Sequence, residues 1–254
     1  MIQITNMSKS FGNLEVLKGV DITIPDGGIF AILGPNGSGK TTLIKSILGM
    51  VIPDKGELLV KGKPVKGESD YRAEIAYLPQ IARFPENLLV KELISLVKDI
   101  RKQPAVFEEE IVEAFQLQST RDQRLRHLSG GTRQKVNILL SLMFDSPLLI
   151  LDEPTVGLDP LAMIRLNEMI LERRAAGVTV LLTTHIMGLV EDLADEVVFL
   201  LDGNIHFKGS LKEMISQSGE RDLEHAIARI LERKQGKEIR LRPNRGALQK
   251  IIGV

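Results

Sequence analysis

The chain of 254 residues has no cysteine and only four histidines. Without cysteine there is no disulfide framework, no thiolate metal site and no cysteine nucleophile. The histidines, at 127, 185, 206 and 225, are too scattered to suggest a metal cluster. An excess of one charge is also missing. Lys and Arg number 33 and Asp and Glu number 33, so no global field points to nucleic acid. No apolar run exceeds five residues (Ile29–Leu33 and Val197–Leu201), far short of the roughly 20 residues of a membrane-spanning helix. The opening MIQITNMSKS lacks the apolar stretch of a signal peptide. What is present is a hydrophobic content of 43%, ample for a core. At roughly 150 residues per domain, the length suits one large domain or two small ones. The expectation is a soluble, cytoplasmic α/β protein whose membrane role, if it has one, comes through a partner.

The neutral total hides an asymmetry. Residues 233–254 hold seven basic residues and one acid, a local charge of +6, leaving −6 on the remainder. This basic tail reads first as a solvated terminus and second as a contact for anionic lipid head groups or a partner.

Along the chain, Ile2 and Ile4, then Ile22 and Ile24, alternate with polar residues as in a half-buried hairpin. Ile29–Leu33 is a strand buried on both faces. Lys40–Leu48 favours a helix that Gly49 can end. Residues 53–80 read as a second β region. Apolar residues at 3–4 residue spacing (Leu89, Leu93, Leu96, Val97, Ile100, then Val106, Ile111, Phe115 and Leu117) make 82–144 an inserted helical subdomain. Ser129 can cap the last helix of that region. Leu148–Leu151 and Val178–Thr183 are further core strands, separated by a helix that Asp159-Pro160 opens and Gly177 closes. A short helix (Ile186–Leu193) and a hairpin across Asp202-Gly203-Asn204 follow. Alternating strands and helices predict a mainly parallel core sheet.

Three segments carry chemistry. Gly34-Pro35-Asn36-Gly37-Ser38-Gly39-Lys40-Thr41 fits G-x-x-x-x-G-K-[ST] between a strand and a helix, the context the phosphate loop requires. Its glycines let N–H groups reach phosphate oxygens, and the helix start adds a positive dipole end. Lys40 can reach the β- and γ-phosphates, and Thr41 can hold Mg²⁺. Leu148–Leu151 then delivers Asp152 and Glu153 to the end of a buried strand, where open α/β sheets place their sites. Asp152 is the expected carboxylate on the Mg²⁺ side, and Glu153 the candidate to orient or deprotonate the attacking water. Finally, Ser129-Gly130-Gly131 at a helix start is a second anion site. One chain does not need two γ-phosphate sites. The economical explanation is a site completed between two chains.

These residues resemble the ATP-binding cassette (ABC) ATPases from about residue 1 to 215. The resemblance rests on GPNGSGKTT (34–42), Gln80 after Tyr77-Leu78-Pro79, LSGGTRQK (128–135), LLILDEP (148–154), GLDP (157–160) and His185 after Leu182-Thr183-Thr184. It implies a P-loop NTPase fold with an N-terminal antiparallel β subdomain and an inserted helical one, together spanning 1–232. It implies further that Gln80 touches the metal and reports on a membrane partner. Ser129 and Gly131, with Gly130 between them, would bind the opposite subunit's γ-phosphate. Asp159 would bridge the dimer, His185 would hold the γ-phosphate, and Thr42 would complete the loop. Phe11 would stack on adenine. The usual residues at two positions are Tyr where this chain has Phe11 and Gln where it has Thr132. His127, His206 and His225 lie in no such motif and read as structural.

Within the family, the PTVGLDP, RFPENLLVKELI and GSLKEMI stretches resemble ATPases of ABC-2-type exporters and, in more detail, cassettes that accompany nitrous-oxide reductase maturation. That resemblance implies an ATPase, using ATP and Mg²⁺, on the inner face of the cell membrane. A head-to-tail homodimer would drive a separate integral-membrane permease, without nucleic acid. The alternative is a soluble ABC ATPase in iron–sulfur or metallocofactor assembly.

Overall fold

The computed structural model describes residues 1–235; of the basic tail, residues 236–254 lie outside the described residues. In chain order the elements are β1 (Ile2–Phe11), β2 (Leu14–Ile24), β3 (Gly28–Leu33), α1 (Lys40–Ile47), β4 (Lys55–Val60), β5 (Lys63–Pro64), β6 (Ile75–Leu78), α2 (Val90–Arg101), α3 (Glu108–Ala114), α4 (Gly130–Leu142), β7 (Leu148–Asp152), α5 (Pro160–Ala175), β8 (Thr179–Thr183), α6 (Met187–Leu193), β9 (Glu196–Leu201), β10 (Asn204–Gly209), α7 (Leu211–Ser218) and α8 (Leu223–Gln235). They divide into two compact units, Met1–Leu211 and the segment from Lys212 onward. The second unit contributes α8, whose first turn is tied down by Asp222 accepting from the His225 backbone N–H at 2.9 Å.

The first unit holds two sheets. Alternating apolar residues make β1, β2 and β4 half-buried, and they pair antiparallel in the order β2-β1-β4-β5. Ile2 sits opposite Ile24 on one side and Val60 on the other. The inward face of Ile2, Ile4, Ile22, Ile24 and Val60 packs with Leu43, Ile44 and Ile47 of α1 and with Ile32, Ile150 and Leu181 of the other sheet. Each such side chain, taken fully out of water, contributes roughly 1.5–3 kcal/mol before entropy is counted, enough to make this shared core bind the two sheets into one body.

The second sheet runs β10-β9-β3-β8-β7-β6, with β9 through β6 parallel and β10 antiparallel at the edge. Strands β7 and β8 are buried at every residue and β3 at every residue after Gly28, with apolar centres, as in strands covered on both faces. Because they are parallel and in close register (Leu78 beside Leu151, Asp152 beside Thr183, Ile32 beside Thr183), the loops that follow β3, β6, β7 and β8 emerge together on one edge. That edge carries the phosphate loop, Gln80, Asp152, Glu153 and His185.

Two sequence expectations change. Residues 75–78 belong to the core sheet, beside β7, and not to a second β region: a four-residue IAYL run is decided by its parallel partner. The apolar stripe of 82–128 is wider than the face it buries. Helix α2 buries Val90, Leu93 and Ile94 but leaves Leu96 and Ile100 exposed. The stretch behind α3 is turns, held by Val90 N–H to Gln123 O (3.0 Å) and Leu125 N–H to Leu88 O (3.0 Å).

Candidate functional site

The loop between β3 and α1 closes on itself. The Lys40 ammonium donates to Gly34 O at 2.7 Å and to Pro35 O at 3.1 Å, leaving one proton. Two glycines are required by space. A Cβ on Gly34 would lie 2.1 Å from Leu200 O, and one on Gly39 would lie 2.9 Å from the Leu17 side chain, at a left-handed φ of 109°. Gly39 caps α1 with no side-chain hydrogen bond and no acid follows in the first turn, so the helix presents bare N–H groups. Ser38 Oγ is buried and makes no hydrogen bond. Bare donors, a lysine and a backbone with no room for side chains fit a phosphate chain.

A cleft of about 280 Å³ opens beside this loop, lined by Asn36, Gly37, Gly39, Lys40, Thr41, Thr42, Gln80, Asp152 and Glu153, with Leu14 and Val16 from β2. Both carboxylates are buried. Asp152 Oδ1 accepts from the Thr183 hydroxyl. Glu153 has a left-handed φ of 49°, unusual for a residue with a side chain. Its N–H donates to Thr183 O at 3.0 Å, which holds that conformation. Strain of this kind costs about 1–3 kcal/mol and persists where surroundings over-determine it. His185 Nδ1 lies 3.0 Å from Glu153 Oε1 and 2.9 Å from Oε2. Burial pushes the Lys40 ammonium below its ordinary pKa, against the pull of Glu153 and Asp152. Burial, then the Asp152 charge, pushes the Tyr77 phenol up to about 12. The Thr41 hydroxyl, Asp152 carboxylate and Gln80 amide form a hard oxygen donor set of the kind Mg²⁺ takes alongside phosphates. No cluster of three acidic or histidine ligands exists among the described residues, so a cation here would need the phosphates as well.

Ser129, Gly130 and Gly131 are not among the residues lining this cleft. They start α4, where Ser129 Oγ accepts from Thr132 N–H at 3.1 Å and lies 2.8 Å from Thr132 Oγ1. The residue that replaces the usual Gln therefore anchors the serine hydroxyl. Asp159 caps α5 through Ala162 N–H (2.9 Å) and pairs with Lys135 of α4 (2.7 Å), which, with the Ala162 bond, holds its carboxyl below the usual range. A Cβ on Gly131 would stand 3.1 Å from Gly157 O, so α4 and the 153–159 segment pack closely. Phe11 is half exposed at the end of β1 and lies outside the cleft lining, with the Lys9 ammonium 5.3 Å from its ring centre. Leu14 and Val16 were not anticipated. They reach the cleft through the placement of β2, which no local pattern announces.

A mainly parallel sheet with a phosphate loop after β3 and two carboxylates at the end of β7 defines a P-loop ATPase. The profile of the family described as "ABC transporter" matches residues 17–156, more than half of the chain, and the chain belongs to that family as an ATP-binding ATPase domain. It is similar to the Nod factor export ATP-binding protein I of Rhizobium sp. (strain N33), 35% identical over 222 residues that cover 85% of this chain and 73% of that protein. The protein of the same name from Rhizobium meliloti (strain 1021) is 37% identical over 208 residues, covering 80% of this chain and 62% of that protein. This chain thus spans less than two thirds of the second relative's length. A solved structure described as the ATP-binding subunit of an ABC transporter is 31% identical, covers 91% of this chain and 99% of its own, and superposes with a TM-score of 0.85.

Proposed function

We propose that this chain is the ATP-hydrolysing subunit of an exporter, seated on the cytoplasmic face of the membrane and joined to a separate integral-membrane permease. The observation that carries the reading is the separation of two helix starts: α1 completes one phosphate site with Lys40, while Ser129 and Gly131 on α4 stand apart from it. A head-to-tail pair of chains brings each α4 start to the other's nucleotide. Lys40 and the loop N–H groups hold the β- and γ-phosphates. Thr41, Asp152 and Gln80, which line the same cleft, would hold Mg²⁺, which would supply neutralising charge beside the phosphates. Glu153 accepts the proton of the attacking water, and the phosphoryl group passes to that water's oxygen as ADP leaves. His185, beside Glu153, holds the γ-phosphate, and Asp159, beside Lys135, bridges the dimer. Phe11 is the aromatic for adenine.

A groove of about 470 Å³ beside Gln80 supports the permease. It is lined by Met50, Ile81, Phe84, Arg72, Arg83 and Arg101 among others, with no acid in its lining. Met50 is 63% and Ile81 74% exposed, an apolar surface of the kind partners cover. Among the described residues no helix is long and apolar enough to cross a membrane. The names of the relatives favour export over cofactor assembly. Co-purification from detergent-solubilised membranes tests the reading. Recovery of an integral-membrane protein supports it, and recovery of a soluble assembly scaffold alone overturns it.

A further inference from the structure

Helix α4 carries two buried amides, Gln134 at 8% and Asn137 at 2% exposure. Three residues apart, they share one face of the helix. Asn137 Nδ2 donates to Pro79 O at 3.0 Å and to Gln134 Oε1 at 3.3 Å, and Gln134 Nε2 donates to Pro154 O at 3.2 Å. The orientation of both amides is dictated by their surroundings. A carbonyl stands at each end of the chain of bonds, so each end must receive an N–H and the two amides must meet nitrogen to oxygen. The prolines at the ends have no N–H of their own, so their carbonyls are the main-chain handles at those points. Pro79 immediately precedes Gln80, and Pro154 immediately follows Glu153.

Burying two amides is costly unless they are bonded, and an apolar pair would pack here without that demand. Their bonds do something an apolar pair cannot. Glu153 keeps its left-handed backbone between two clamps, Thr183 O on its own N–H and Gln134 on the next carbonyl. At the other end, Pro79 and Asn137 both line the groove beside Gln80.

We infer that Gln134 and Asn137 are positioning residues that tie the backbone beside Glu153, at Pro154, to the backbone beside Gln80, at Pro79, and so hold Glu153 in place for hydrolysis. This rests on Glu153 being the base. The test uses the full-length chain, with steady-state ATP hydrolysis and titration with a fluorescent ATP analogue. Asn137→Leu and Gln134→Met should each lower kcat about ten-fold, as expected for coupled groups, and leave nucleotide affinity unchanged, because neither touches the phosphate loop. The double variant should fall no further than the slower single one, since a chain cut once is already cut. Gln134→Glu, which keeps the shape but sets a carboxylate against Pro154 O, should fall as far as Gln134→Met. Multiplying losses in the double variant, affinity falling in step with kcat, or unchanged kcat would each overturn the tie. Glu153→Gln run alongside separates the two claims. If it is inactive while the amide variants are normal, only the tie is wrong. If it is fully active, the assignment of the base is wrong.

Discussion

The starts of α1 and α4 are made of similar parts and finished differently. Each has glycine and serine at its start, and neither has an acid in its first turn. At α1 the cap is Gly39, which uses none of the N–H groups, and Lys40 stands among them beside two buried carboxylates. At α4 the Ser129 hydroxyl already satisfies Thr132 N–H, and the nearby lysine, Lys135, is committed to Asp159. The first start holds donors, a cation and two carboxylates together. The second offers a hydroxyl and a dipole and lacks the rest. A helix terminus alone is a weak anion site, worth tenths of a kcal/mol to about 2 kcal/mol. What separates a catalytic site from half of one is the chemistry brought to it by neighbouring strands.

The comparison breaks most easily at the carboxylate. Glu153→Gln removes the carboxylate we propose as the base and should lower turnover about 10²–10⁴-fold while leaving MgATP binding intact. Near-normal ATPase activity in the purified variant would contradict the role. The next effect is at the lysine. Lys40→Ala removes a charge-assisted contact and should weaken nucleotide binding about ten- to a hundred-fold, read by the same fluorescent titration. Burial sets the sign of a pH effect here. The protonated ammonium is the binding form and its pKa is depressed, so affinity should begin to fall with rising pH before an ordinary lysine would lose its proton, and Lys40→Ala should lack that fall.

Much of this was legible because a phosphate loop, a strand ending in two acids and a capped Ser-Gly-Gly each combine residue type with local context. Asp159-Pro160 was readable as a helix start, and the Asp159 carboxylate does accept from Ala162 N–H. The parts that were not legible are tertiary. Membership of β6 in the core sheet depends on pairing with β7, and Leu14 and Val16 become cleft residues only through sheet placement. Nothing local announces the backbone of Glu153. The amides of α4 left a faint trace, since Val136, Ile138, Leu139 and Leu140 surround Asn137 with apolar residues. A polar amide in a helix buried nearly all round needs a partner, though the sequence does not say that the partners are the carbonyls of Pro79 and Pro154.

The central claim is that α4 supplies the second half of a neighbour's phosphate site, and light scattering of the Glu153→Gln chain tests it directly. With MgATP unconsumed, this variant should become a dimer, and without nucleotide it should stay monomeric. Adding Ser129→Glu places a carboxylate against the partner's γ-phosphate, where poor solvation magnifies repulsion. The account predicts that the double variant remains monomeric at saturating MgATP yet binds nucleotide normally, because its own loop is untouched. A Glu153→Gln chain that stays monomeric with MgATP, or a dimer that forms equally well with Ser129→Glu present, would contradict it.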